Sequence, residues 1–586
     1  MRNFYTAVGG GHQIPGASTS TRLRFGPAPR GLDAVAVITE FFGLTRPEST
    51  HGGTGRDRLA APNPHGRLRF MNDAPAGSPI PTISCGARTR KQAESHRRAG
   101  QLAAALAAAD LARGDRVAVM LRNDIEFLEV SLAIATCGAN PVPINTRWQA
   151  REVAHVLADS GARLIIAHTE FIGIVEDAIA LAGVDPVVVE VAMPAELLDE
   201  AGLDRMQLTH RHATLEDWIL DHPEPLGHLD GAIADSMGLI YTSGTTGTPK
   251  GVLRERMTPH QLLSIAGGTA QRMGLTPGGR MLVAGPMYHT SPNAVAVLGL
   301  RMGADITIMP RWHAERFLQL VDEHRITQAK VVPTMLSRLL SLPTEVRDRY
   351  DISSLTHLIH SAAPCPPAVK RAAIDWFGDA LIEFYGCTEA GTITWISAAE
   401  WLAHPGSVGR GVDGSGVVVA TDDGTALPAG EIGQVFVHGA DYWPDFTYLN
   451  RTDAPASAVP GYLTVGDTGY LDDAGYLYLT GRSSEIIISG GVNIYPAEIE
   501  AAIMADIDVE DVAVFGIPHT GDLGESVAAH IVARPGATVT EERVRAGLTG
   551  RIADYKIPAT LRIVTALPRD DSGKIYKRQL QELYPA

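Results

Sequence analysis

From residue 91 to residue 385 the chain alternates between short apolar runs and longer segments whose apolar residues recur at helical spacing. No other feature limits the fold as much. Strands separated by helices enter a sheet in parallel, and a parallel sheet needs helices on both faces. The pattern predicts strands at 117–121, 141–144, 164–167, 237–240, 281–284, 306–309, 330–332 and 381–385, and helices at 91–111, 125–136, 150–159, 314–323 and 366–377. Asp124 is placed to cap the second of these helices. After about residue 407 the texture changes to short strands at 417–420, 434–438 and 476–480, joined by Gly/Asp turns. Past Arg482, strands at 485–489, 512–516, 527–532 and 559–564 surround helices at 496–505 and 541–551. The expected class is α/β and α+β, in several domains.

Composition narrows the function. A chain of 586 residues has material for several buried cores. Asp and Glu number 66 against 50 Lys and Arg, a formal charge of -16. So acidic a surface is a poor general partner for nucleic acid or anionic membrane. The most apolar stretch, 130–144, is broken by Asn140, Pro141 and Pro143, short of the ~20 apolar residues of a membrane helix. Cys85, Cys137, Cys365 and Cys387 form no CxxC pair. That excludes zinc-ribbon and dithiol readings, and scattered thiols suit a reducing cytoplasm.

Residues 1–70 stand apart, rich in Gly, Pro and Arg and without Lys. They are expected to be a disordered tail or a start assigned too early, with Met71 a natural first residue. The acid-free beginning with Arg2, Arg22, Arg24 and Arg30 has the charge of a transit peptide. Its glycines and prolines oppose an amphipathic targeting helix.

The chemistry concentrates in Tyr241-Thr242-Ser243-Gly244-Thr245-Thr246-Gly247-Thr248-Pro249-Lys250-Gly251, which follows the apolar run 237–240. Glycines let a backbone turn its N–H groups toward an anion, and hydroxyls and a lysine add donors and charge. This suits a polyphosphate. It is not a Walker loop, because GK[ST] is absent.

That segment resembles the signature loop of the acyl-adenylate-forming enzymes, and four later segments resemble the family's other motifs in order. They are Tyr385-Gly386-Cys387-Thr388-Glu389; 462–469 (YLTVGDTG, with Val465 where Thr is usual); Gly481-Arg482 followed by 490–500 (GGVNIYPAEIE); and 567–575 (LPRDDSGKI). The resemblance spans roughly residues 88–580. It implies a large N-terminal domain, 71–483, of two α/β sheets plus a small β-rich subdomain at about 407–483. A small mobile α+β C-terminal domain, 484–586, follows.

The implied reaction has two halves: a carboxylate attacks the α-phosphate of ATP, giving acyl-AMP and pyrophosphate, and a thiol, usually that of coenzyme A, then displaces AMP. The resemblance assigns Thr242, Ser243, Gly244, Thr245, Thr246, Gly247 and Lys250 to the phosphates. Thr388 is assigned to the α-phosphate and Glu389 to Mg²⁺, as a hard oxygen ligand. Tyr385 and Gly386, with Ser361, Ala362 and Ala363, face adenine. Asp467 takes the ribose hydroxyls, Arg482 ribose or phosphate, and Lys574 the junction of carboxylate and α-phosphate. Gly490 and Gly491 line the pantetheine path. His289, in Pro286-Met287-Tyr288-His289, gates or lines the acyl pocket, or is a core histidine. The pivot between domains falls on Ser484, where the family usually has Asp or Lys.

The expected function is an ATP-dependent carboxylate–CoA ligase acting on a fatty acid or a bulky hydrophobic acid, similar to bacterial fatty-acyl and bile- or steroid-acid ligases. The alternative is a ligase that passes its acyl group to a carrier protein or an amine. The expected partners are the acid, ATP and CoA or a carrier thiol, with a homodimer among the expected assemblies. A non-catalytic relative is disfavoured, because Lys250, Glu389, Asp467, Arg482 and Lys574 are all present.

Overall fold

The computed structural model describes residues 80–203, 208–226, 238–242, 250–450, 457–489, 492–519, 525–569 and 575–584. The expected tail, 1–70, lies outside this set. So do Ser243, Gly244, Thr245, Thr246, Gly247, Gly490, Gly491 and Lys574, and only the backbone of Thr242 is described.

The largest element is a nine-stranded sheet. Its six central strands run parallel, in the order Leu381–Cys387, His357–His360, Gln328–Val331, Arg280–Val283, Asp305–Ile308 and Thr82–Cys85. Antiparallel strands close both edges: Arg88–Lys91 on one side, Gly391–Ser397 and Arg410–Gly411 on the other. A second, all-parallel sheet comprises Asn140–Pro143, Arg116–Met120, Leu164–His168 and Val187–Val191.

Between the sheets lies a helix layer of Gln92–Ala108, Ile125–Thr136 and Thr290–Arg301. Leu102, Leu106, Phe127, Leu128 and Leu300 from these helices share one core with Ile83, Val117, Ile166 and Ile306 of the strands. In Ile125–Thr136 every residue but Ser131 is buried, as befits a helix that is apolar nearly all round. Asp124 caps it, accepting from the Ile125 N–H at 2.7 Å. Helices Ala314–Glu323, Pro333–Leu340 and Pro367–Phe377 cover the outer face of the large sheet. Ala150–Ser160 and Ile172–Ala182 cover that of the small one.

The sequence shows regularity only from Arg88, but among the described residues a strand already runs over Thr82–Cys85. The edge strand Arg88–Lys91 reads RTRK and has no apolar residue. Its place follows from charge. Glu126 and Glu129 are buried on the neighbouring helix, and a buried carboxylate is tolerated only when paired. Arg88 donates to Glu126 at 3.1 Å, Arg90 to Glu129 at 2.6 Å, and Arg98 to the second Glu129 oxygen at 2.9 Å.

Beyond residue 407 an antiparallel sheet contains Gly416–Ala420, Gly433–His438, Asp467–Leu471 and Leu477–Arg482. This unit is less self-contained than the sequence implies. Arg410–Gly411 belongs to the nine-stranded sheet, and Phe446–Tyr448 pairs with Lys250–Arg254. The C-terminal unit has a small hairpin, Ile487–Ser489 with Val492–Ile494. Its main sheet comprises Val509–Pro518, Glu525–Ala533 and Thr560–Val564, accompanied by Pro496–Met504, Glu541–Leu548 and Lys577–Gln581.

Two expected elements differ there. The helix expected over 541–551 stops at Leu548, because Gly550 takes a left-handed φ of 74°. The strand expected over 485–489 starts only at Ile487, because Ser483–Glu485 forms a short 3-10 turn. Each side of that turn is tied to a different unit. The Ser483 N–H donates to the Gly466 carbonyl at 2.8 Å, on the β-rich side. Glu485 pairs with Lys577 at 3.1 Å, and Lys577 pairs with Glu500 at 2.9 Å, both in the C-terminal unit. Ser484 stands between the two attachments.

Candidate active site

Parallel α/β sheets bind ligands in the crevice at the carboxyl ends of their strands. Three of the expected segments emerge there from the large sheet. The 286–292 segment follows Arg280–Val283, Ser361-Ala362-Ala363 follows His357–His360, and Tyr385 and Gly386 close Leu381–Cys387. Gly386 is required by close approach: a Cβ there would lie 2.1 Å from the Gly391 carbonyl oxygen.

Tyr385, Asp467 and Arg482 form one cluster. Asp467 and Arg482 face each other across adjacent antiparallel strands, with Arg482 Nε 3.2 Å from Asp467 Oδ1. The Tyr385 hydroxyl donates to Asp467 Oδ2 at 2.6 Å. Burial, and then the Asp467 charge, hold the Tyr385 phenol well above its ordinary pKa, so it stays a donor. Asp467 is buried apart from 8 % of its surface, at the edge where a ligand would meet it.

A second cluster surrounds Glu389. Its Oε1 accepts from the Tyr448 hydroxyl at 3.0 Å, and its backbone carbonyl accepts from Trp443 Nε1 at 3.0 Å. Lys250 Nζ stands 5.5 Å above the Tyr448 ring. Arg254 donates to the Thr388 carbonyl and lies 5.3 Å over the Trp443 ring. Burial pushes the Arg254 guanidinium down to about 10, against the raising effect of the Glu389 charge. Thr242 and Lys250 are opposite partners in an antiparallel pair, so residues 243–249 join two ends held side by side. Tyr448, Trp443 and Arg254 were not legible as site residues. Tyr448 and Trp443 enter through the three-residue strand that crosses to Lys250–Arg254 and the segment before it.

Among the described residues no group of three His, Cys, Asp or Glu side chains is disposed to hold a metal. Glu389 alone presents one carboxylate. That fits Mg²⁺, which takes one or two carboxylates and completes its octahedron with phosphate oxygens and water. It would not fit a resident, protein-caged ion.

Behind the Ser361–Ala363 turn lies a buried triad. Lys370 Nζ donates to Glu383 Oε2 at 3.0 Å and lies 2.5 Å from His360 Nε2. All three residues are within 5 % of full burial. Burial lowers the His360 pKa and raises that of Glu383, so His360 is the neutral member. Ala362 in the turn has φ 78°, a conformation that costs a non-glycine residue roughly 1–2 kcal/mol.

His289 caps the helix Thr290–Arg301 by position and lies 4.6 Å from the Tyr288 ring, half-buried. Trp312 packs on Phe317 against the outer core. Trp395 stacks on Phe384 at 6.0 Å, on the inner face. Lys330 reaches the same face from the strand Gln328–Val331. The structure thus brings Lys250, Thr388 and Glu389 together, and Tyr385, Asp467 and Arg482 together.

The sequence profile of the AMP-binding enzyme family matches residues 83–443, and that of the AMP-binding enzyme C-terminal domain matches 498–574. The chain is 33 % identical over 495 residues to the long-chain-fatty-acid–CoA ligase FadD13 of Mycobacterium tuberculosis, covering 83 % of this chain and 92 % of that one. It is 31 % identical over 507 residues to the 2-succinylbenzoate–CoA ligase of Geobacillus kaustophilus, covering 86 % and 95 %. Among solved structures, ATP-bound MatB from Rhodopseudomonas palustris superposes with a TM-score of 0.72 at 28 % identity, over 88 % of this chain and 97 % of that one. The chain therefore belongs to the AMP-binding enzyme family, in its acyl-CoA synthetase branch.

Proposed function

We propose that the protein is an AMP-forming carboxylate–CoA ligase whose acid substrate has a bulky apolar body. The observation that carries this reading is the pair of clusters at the sheet's carboxyl edge: a carboxylate held between a phenol and a guanidinium, and beside it a carboxylate with a lysine and a buried arginine. The first suits the nucleoside of ATP and the second its phosphates.

In this reading Asp467 accepts from the two ribose hydroxyls, positioned by Tyr385 and Arg482. Tyr385, Gly386 and the Ser361–Ala363 turn enclose adenine. Lys250 and the hydroxyls of Thr242, Ser243, Thr245 and Thr246, with the backbone at Gly244 and Gly247, neutralise the leaving pyrophosphate. Thr388 holds the α-phosphate, and Glu389 would hold Mg²⁺, which neutralises phosphate charge when bound. His289 lines the entrance for the acid, and Lys574 offsets repulsion as the carboxylate attacks the α-phosphorus and pyrophosphate leaves. In the second half the thiol, passing Gly490 and Gly491, attacks the acyl carbon and AMP departs.

Of the two substrate classes the sequence suggests, a bulky acid is favoured over a plain fatty acid. Phe384, Trp395, Met302 and Leu298 stay half-buried on the inner face. All four cysteines are free, and no described helix is long and apolar enough to cross a membrane; a cytoplasmic setting is part of the proposal.

The test is pyrophosphate release with a panel of acids, followed by AMP release with CoA, a carrier protein or an amine supplied in turn. Turnover with CoA supports the reading. Turnover only with a carrier or an amine would transfer it to the alternative acceptor.

Asp467→Ala should raise the KM for ATP on the order of ten- to a hundredfold, since each hydrogen bond to a charged group contributes roughly 1.5–3 kcal/mol. In the variant 2′-deoxy-ATP should lose its disadvantage. A purely structural role would weaken both nucleotides alike and leave the discrimination in place.

Ser484→Pro tests the pivot. Proline fixes φ and removes an N–H, so adenylate formation should persist while thioester formation slows. Equal loss of both halves in a rapid-quench measurement would move the pivot elsewhere.

A further inference from the structure

The inner face of the nine-stranded sheet, covered by the helix Thr290–Arg301, carries a lysine. Lys330 is level with Val283 and Ile359 in the parallel register, and Ile359 with Ile382. All three neighbours belong to the apolar core between the two sheets. The Lys330 side chain is largely buried but keeps some exposure, and among the described residues no carboxylate pairs with it; burial alone pushes its pKa down to about 7. Its Nζ donates to Ser291 Oγ and stands 4.5 Å from the centroid of the Phe384 ring, which is backed by Trp395.

The chain treats its other buried lysines differently. Lys370 has Glu383, and Lys577 has both Glu485 and Glu500. A largely buried ammonium served only by a hydroxyl and a ring face is costly. The surroundings of Lys330 are also not sealed. Lys330, Ser291, Phe384 and Trp395 all keep partial exposure although they lie on a covered sheet face, which marks a recess with one polar end. Ser291 comes two residues after His289, and Phe384 immediately precedes Tyr385. The recess therefore adjoins the groups assigned above to the reacting carboxylate and the adenine.

Building on the ligase reading, we propose that Lys330 recognises a second anionic group on the acid, a carboxylate or sulfonate remote from the carboxylate that is adenylated. Such an anion would supply the missing counter-charge, with the Ser291 hydroxyl, which already accepts from the lysine, donating its proton to the same oxygens. Phe384 and Trp395 would flank the apolar body between the two ends. A site built for a polar group rejects the analogue that lacks it far more strongly than an apolar pocket rejects an extra methylene.

The test uses the full chain and matched acids: aryl- or alicyclic-alkanoic acids with nothing, a carboxylate, a sulfonate or a neutral methyl ester at the far end. Pyrophosphate release gives kcat/KM for each, and calorimetry gives binding. The wild type is expected to favour the doubly charged acids by roughly ten- to a hundredfold, the scale of one charged hydrogen bond. The better of the carboxylate and sulfonate arms identifies the anion. Lys330→Met should abolish or invert the preference while the melting temperature holds or rises, because an apolar chain of similar length replaces an unpaired charge.

Wild-type preference for the plain acid or the ester, or a preference that survives in Lys330→Met, overturns the assignment and leaves the ligase reading intact. A calorimetric preference that depends on Lys330, with no pyrophosphate from any acid, would keep the lysine's role and overturn the ligase reading instead.

Discussion

Replacing Lys574 by alanine is expected to suppress acyl-adenylate formation by at least about 10²–10³-fold, the usual effect of removing one preorganised electrostatic donor. The reason is Coulombic. A carboxylate approaching an anionic α-phosphate brings like charges together, and a cation at the junction offsets the repulsion. In the proposed cycle the C-terminal unit has turned before the thiol attacks, so the lysine is absent from the second half-reaction. Synthetic acyl-AMP offered with CoA should then be converted at close to the wild-type rate. Rapid-quench measurement of each half separately decides the matter. Equal loss in both halves would show that Lys574 does not serve adenylation alone.

Replacing Lys370 by alanine is expected to destabilise the N-terminal domain by about 3–5 kcal/mol, the cost of breaking a buried ion pair from one side. Glu383 would be left 5 % exposed, without its 3.0 Å partner and beside a neutral His360. Glu383 already has a raised pKa from burial, and losing the lysine raises it further. A carboxyl whose folded pKa lies above its unfolded value binds protons preferentially in the folded state, so the deficit should shrink as pH falls. Denaturant unfolding across pH measures this. Combining Lys370→Ala with Glu383→Leu should recover much of the loss, since no unpaired charge then remains. A small, pH-independent loss would mean that the triad contributes little. The triad joins the strands that lead into Ser361 and carry Tyr385, so the same variant is expected to weaken ATP binding.

Local chemistry made some elements legible. Helix Ile125–Thr136 announces itself through Asp124, and Ala314–Glu323 through its apolar stripe. Both occupy the residues expected. The phosphate, ribose and metal candidates were named from short local motifs, and their roles stay part of the proposal. What escaped depends on partners far along the chain. Nothing near Arg88 and Arg90 reveals that Glu126 and Glu129 will neutralise them. Nothing near Tyr448 reveals that a three-residue strand will carry it to Lys250 and Glu389. Lys330 looked like an ordinary strand residue until the helix beginning at Thr290 closed over it.

The two attachments flanking Ser484 have a mechanical consequence. In the proposed cycle, with Ser483 held to Gly466 and Glu485 held through Lys577 to Glu500, the turn falls on the few torsions at Ser484, and the Arg534–Ser341 hydrogen bond that joins the two units is released. In that cycle everything after the link turns as one crank. A unit of about a hundred residues has a radius of gyration of about 13 Å, so a modest twist at the link sweeps its far surface across a distance comparable with the crevice itself. The proposed cycle thereby presents one cavity with two different walls in succession, at the cost of a few dihedral angles and without unfolding either unit. In that cycle the ion pairs of Lys577 to Glu485 and Glu500 tie the start of the arm to its helix.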